Sequence, residues 1–156
     1  MRSLLISCCL LLLTACGAEA PDIKLENAKI TDPIGGRDIA LGGISLTAIG
    51  QDLRLLAVTS PAADRIEIHD SIQSDIGRVQ MRRLEDLTIE AGTTRELGTG
   101  GAHLMIFGFD ENLVPGDTTE LTLRFTQGTG LEQTRTVTAI ITELGDDTGV
   151  HAGHGG

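Results

Sequence analysis

Tryptophan and tyrosine are absent from this sequence, and three phenylalanines are its only aromatic residues of that kind. A core without large rings must be filled by Leu, Ile and Val, which are plentiful and fall mostly in short runs. Cysteine is equally scarce and confined to one end, at Cys8, Cys9 and Cys16. The chain beyond Cys16 therefore has no thiol. That excludes CxxC redox chemistry, a cysteine nucleophile and a thiolate-dependent blue-copper centre in this part of the chain. Positive charge is also short, with 12 Lys and Arg against 22 Asp and Glu and a formal net charge of −10. Such an acidic surface disfavours nucleic acid as a partner and adsorption to anionic lipid through a polybasic patch. No segment shows a sustained 3.6-residue apolar period, so long amphipathic helices are not expected.

What is present begins with an address. Met1-Arg2 supplies positive charge, and Ser3 to Leu13 is an apolar stretch much shorter than the roughly 20 residues of a spanning helix. It reads as a secretory signal. Leu13-Thr14-Ala15-Cys16 follows and resembles the bacterial lipobox, in which the cysteine is lipidated and becomes the first mature residue. Residues 1–15 are therefore expected to be a lipoprotein signal peptide, and 16–22 the lipidated Cys16 with its tether. By resemblance to lipoprotein sorting signals, Gly17 in place of Asp favours the outer membrane where the organism has one. The anchored protein would sit in the cell envelope and face the periplasm.

At 156 residues the chain suits a single domain. From Ile23 onward, short runs with apolar and polar residues alternating are separated by turn residues. The runs are Ile23 to Ile30, Ile39 to Ile49, Leu53 to Val58, Arg65 to His69, Val79 to Leu84, Leu87 to Ile89, His103 to Phe109, Leu121 to Phe125 and Thr134 to Ile141. Strands at this spacing predict an all-β antiparallel sandwich or barrel. A bulge is expected at Gly42-Gly43 and a helical turn within Asp70 to Gly77. The domain is placed at 23–145, and 146–156 reads as a flexible Gly/His tail.

The candidate chemistry lies with four side chains. Beyond Met1 the only methionines are Met81 and Met105, and two of the four histidines, His69 and His103, fall in expected strands. His103 and Met105 are two apart on one strand, so imidazole and thioether share a face. Thioethers select copper(I) and imidazole also suits copper. Zinc prefers thiolates, imidazoles and carboxylates, so the two methionines argue against it, and calcium and magnesium prefer oxygen. A methionine in a strand is also a common core filler, so composition leaves both readings open.

The spacing bears on that choice. His69-Asp70 is followed by ten residues and Met81, then by twenty-one residues and His103-Leu104-Met105. This resembles the periplasmic copper chaperone family called PCuAC, whose motif is His, Met, ten residues, Met, twenty-one residues, His, any residue, Met. Ser60-Pro61-Ala62-Ala63, Gly100-Gly101-Ala102-His103-Leu104-Met105-Ile106-Phe107-Gly108 and Leu113-Val114-Pro115-Gly116-Asp117 also look like the family. The likeness extends roughly from Ile23 to Ile141. Asp70 departs from it, standing where the family has its second methionine.

The resemblance implies a cupredoxin-like (immunoglobulin-like) Greek-key sandwich that binds Cu(I) through His69, Met81, His103 and Met105. It further implies a carrier rather than an enzyme, handing copper toward cytochrome c oxidase assembly at its CuA and CuB centres. The acceptor would be an oxidase subunit or a thiol-containing assembly factor. Copper sequestration for resistance, or a structural lipoprotein with an idle site, are the alternatives. His151 and His154 in the tail resemble a shortened form of the His- and Met-rich extensions of some relatives, which would make a second, Cu(II) site.

Overall fold

The computed structural model describes residues 22–33, 38–73, 78–98, 100–128, 130 and 132–143. The expected signal peptide, Cys16, and the tail with His151 and His154 lie outside them. Among the described residues ten strands are formed: β1 (Ile23–Thr31), β2 (Ile39–Ala48), β3 (Leu53–Thr59), β4 (Arg65–Gln73), β5 (Val79–Leu84), β6 (Leu87–Ile89), β7 (Thr94–Leu97), β8 (His103–Phe107), β9 (Thr118–Gln127) and β10 (Glu132–Thr142). Among the described residues there is no helix.

The strands join in the order β5-β4-β8-β2-β1-β10-β9-β3-β6, with β7 attached to β2. The two ends of this order are consecutive in sequence, since only Glu85-Asp86 separates β5 from β6. The chain thus leaves one end of the ladder and enters the other, nearly closing the sheet into a barrel, and Arg54 of β3 pairs with Asp86 at that corner. Closure of this kind hides sheet edges that would otherwise offer unpaired backbone groups. The fold is all-β, as the alternation predicted, and cupredoxin-like, as the family resemblance implied. One pairing is parallel, β1 with β10.

Alternation puts one side of each strand inward. Ile30, Leu46, Leu53, Leu55, Leu104, Ile106, Leu121, Leu123 and Ile141 are wholly buried, with Phe125 the largest side chain among them. The aliphatic core inferred from the missing aromatics is what forms. Of the other phenylalanines, Phe109 is buried at the edge of this core and Phe107 turns outward.

Two local expectations are corrected, and one strand was not expected. The bulge lies on β1, where register jumps from Glu26↔Ser45 to Lys29↔Gly43 and Asn27 takes a positive φ of 53°. At Gly42-Gly43 the outer edge of β2 instead changes partner, from β8 to β7. A Cβ on Gly43 would come within 2.8 Å of the Leu97 carbonyl oxygen, so the glycine allows the close approach. The proposed helical turn is displaced because β4 continues through Gln73, held by pairing to β5; residues 74–77 lie outside the described set. Strand β7 was not foreseen, since Leu97 is its only buried residue and Thr94, Arg95 and Glu96 are exposed.

Candidate metal site

Residues directly opposite one another in a ladder project to the same side. Ile66 faces Ile106, and Ile68 faces Leu104, on the core side. The intervening residues therefore project outward, in rows Arg65–Phe107, Glu67–Met105 and His69–His103 across β4 and β8. Strand β5 extends the same face, with Arg83 opposite His69 and Met81 opposite Ser71. All four candidate ligands thus share one outer face. His69 is central to them: His103 lies opposite, while Met105 and Met81 are its diagonal neighbours, a relationship that sets Cα atoms roughly 7–8 Å apart. Met105 is half-buried and Met81 is 61 % exposed at the outer strand, where its thioether has room to swing.

The histidines are built into the surface. His103 is only 5 % exposed, and the His69 side chain is 15 % exposed. Their ring centroids stand 6.1 Å apart with planes tilted by 44°. Each ring has one nitrogen on an oxygen: His69 Nε2 is 2.9 Å from Glu67 Oε2, and His103 Nδ1 is 2.9 Å from the Gly101 carbonyl. An ionised carboxylate and a carbonyl accept only, so both ring nitrogens donate. A neutral imidazole then keeps a lone pair on its other nitrogen. Those nitrogens, His69 Nδ1 and His103 Nε2, are buried and have no hydrogen-bond partner. Leaving a buried polar atom unpaired costs about 1–3 kcal/mol, so two on rings in direct register make this face a candidate binding site.

The supporting groups come from both strand and loop. The hydrogen bond from His69 holds the Glu67 carboxyl below the usual carboxylate range; Arg83 and then Arg65 add to this, against the opposing effect of burial. Arg65 lies over the Phe107 ring, 4.2 Å from its centroid. Gly101 sits in the excursion between β7 and β8, which is tied to β4 by the Ser71 amide donating to the same Gly101 carbonyl at 3.3 Å. Among the described residues no three His, Asp or Glu side chains gather as a hard-ligand cluster. What shares this face is two imidazoles and two thioethers, a neutral donor set of the soft kind that suits Cu(I).

Sequence reading placed His69, Met81, His103 and Met105 on strands but missed Glu67 and Gly101. Glu67 carried a signal, since it lies two residues before His69 on an alternating strand. The Gly101 carbonyl carried none, because backbone acceptors are invisible in a sequence.

Fold and face together describe a β-barrel domain of the kind found in PCuAC proteins. The chain belongs to the family described as "Putative lipoprotein LpqE-like", whose model matches residues 23–139. A relative described as "Putative lipoprotein Lxx21020", from Leifsonia xyli subsp. xyli, is 26 % identical over 139 residues, covering 82 % of this chain and 83 % of its own. Among solved structures, the copper-bound PCuAC domain from PmoF2 superimposes with a TM-score of 0.63 at 19 % identity, over 80 % of this chain and 96 % of that one. The solution structure of CuI-DR1885 from Deinococcus radiodurans gives a TM-score of 0.62 at 25 % identity, over 81 % and 83 % of the two chains.

Proposed function

We propose that this chain is a copper(I) carrier of the cell envelope, binding the ion through His69, Met81, His103 and Met105. The observation that carries the reading is the registered pair His69–His103, whose buried, unpartnered ring nitrogens share a face with both methionines. Two neutral imidazoles and two thioethers add no ligand charge, which favours the cuprous over the cupric ion. The similar solved structures are described as copper-bound and CuI forms, which supports the same cargo here.

The carrier is anchored by lipid on Cys16 and faces the periplasm; the lipobox-like sequence and the lipoprotein description of the family support this. It passes copper to an envelope acceptor, an oxidase subunit or a thiol-containing assembly factor, toward the copper centres of cytochrome c oxidase. His151 and His154 act as a weaker Cu(II) site. Four protein ligands leave no open position for a substrate, so the site carries rather than catalyses.

The test is Cu(I) competition against a chromophoric chelator, using the chain without residues 1–16. The wild type should take Cu(I) from the chelator at one equivalent, and Met81→Leu with Met105→Leu should not. A wild type that fails to compete, or a double variant that competes equally well, ends the carrier reading. Truncation after Thr148 with Cu(II) tests the tail separately.

A further inference from the structure

Glu67 divides its carboxylate between two tasks. Oε1 takes Arg65 Nε at 3.0 Å and Arg83 Nη1 at 3.5 Å, from either side. Oε2 is left for His69 Nε2 at 2.9 Å. Arg65 is in turn anchored on Phe107. The carboxylate is therefore held by two guanidinium groups in the one orientation that presents an acceptor to the His69 ring. Its side chain is only 13 % exposed, which limits competition from water for that contact.

We propose that Glu67 is the positioning residue of His69: it holds the ring as the Nε2–H tautomer, so that Nδ1 is the atom offered to the metal. A neutral imidazole has a single ring proton, and donating it to the carboxylate commits Nδ1 to the lone pair. The same Nδ1 is the buried atom that has no partner. His103 is committed the other way, because its Nδ1–H goes to the Gly101 carbonyl and Nε2 carries the lone pair. The two histidines thus offer different ring nitrogens, one set by a side chain and one by the main chain. Carboxylate partners of this kind orient metal-ligating imidazoles and raise their basicity. The consequence for copper rests on the site proposed above, whereas the tautomer is a property of the metal-free chain.

The experiment uses the mature-length chain labelled with 15N, and long-range proton–nitrogen correlation of the imidazole rings at about pH 7.5. Wild-type His69 should show the Nε2–H pattern and His103 the Nδ1–H pattern. Glu67→Ala should release His69 to a mixture of tautomers and leave His103 unchanged. Its Cu(I) affinity should fall roughly 10–100-fold. Glu67→Gln keeps the packing but has one acceptor oxygen, which Arg65 and Arg83 claim. Its amide N–H then faces His69 Nε2 and should shift the ring toward the Nδ1–H tautomer, with a loss of affinity like that of Glu67→Ala. If wild-type His69 is found as the Nδ1–H tautomer, or Glu67→Ala leaves it unchanged, the proposal is overturned. The wild-type spectrum can overturn it alone, so the test survives a variant that fails to fold. A wild type with both tautomers as stated but no Cu(I) competition would sink the copper reading and leave the positioning role standing.

Discussion

His69 and His103 stand in direct register across β4 and β8, their rings 6.1 Å apart, each with one nitrogen on an oxygen and the other buried without a partner. Cross-strand register brings together two residues thirty-four positions apart, and alternation turns both away from the core.

Removing either ring should abolish tight Cu(I) binding, but with different side effects. His69→Ala and His103→Ala should each weaken binding by more than about 100-fold, beyond the roughly 10–100-fold cost of losing an outer-shell partner. His103 is nearly buried, so its variant should also unfold more easily in urea. Chelator competition and denaturant titration on the same samples separate the two losses.

The methionines allow binding to be tested with little effect on folding. Met→Leu conserves volume and removes the sulfur, at a cost of less than about 1.5 kcal/mol even in a packed site. Met81 is exposed at the outer strand, so Met81→Leu should leave the urea midpoint unchanged while Cu(I) affinity falls. Met105→Leu should behave alike, with a small change in midpoint. Equal affinity for wild type and both leucine variants would show that sulfur is not a ligand.

Acid should weaken the fold partly through Glu67. Its folded-state pKa is lowered, chiefly by the hydrogen bond from His69. A lowered carboxylate stabilises the fold above its unfolded pKa, near 4.3 for Glu, and that contribution is lost as pH falls through the folded value. Thermal midpoints taken from neutral pH into the acid range should drop less steeply for Glu67→Gln than for wild type. Parallel curves would contradict this.

Strand β8 ends at a glycine that cannot be replaced cheaply. Gly108 has a φ of +62°, and a Cβ there would lie 2.2 Å from Asp64 Oδ2. Gly108→Ala should destabilise by about 1–3 kcal/mol, the usual cost of a strained backbone position. Asp64→Ala in the same chain should recover only the part due to the carboxylate, since the Asp64 Cβ itself would stand 2.8 Å from the added carbon, as read by urea unfolding of the single and double variants.

The core tests the aliphatic composition. Phe125 is the one fully buried ring, on β9 between β10 and β3. Phe125→Ala should cost about 3–5 kcal/mol, more than loss of the outward-facing Phe107, as measured by denaturant midpoints.

Much of this protein was legible in its residues because period-two alternation is a local property. Ile66 and Ile68 declared the inner face of β4, and His69 therefore had to lie on the outer one. Likewise His103 and Met105, two apart, had to share a face. The four-ligand spacing that resembles the PCuAC motif was a linear feature, as was the lipobox-like stretch before Cys16. β7 was missed because three of its four residues are exposed and polar, and only pairing to β2 makes it a strand. The bulge was misplaced because two glycines looked like the weak point, while the register slip went to Asn27 on the neighbouring strand.

The sequence by itself determined the elements: short strands, an aliphatic core, two soft sulfurs and two imidazoles at fixed intervals. Tertiary structure decided which of these meet. Pairing β4 between β5 and β8 made His69 the common neighbour of His103, Met105 and Met81, a relation between strands that no interval along the chain encodes. It also chose the tautomers, since the Glu67 carboxylate and the Gly101 carbonyl act on the rings only once the backbone has set them 2.9 Å away. Hydrogen bonding is short-ranged and directional, so the donor atoms of the site are fixed by the fold rather than by residue type.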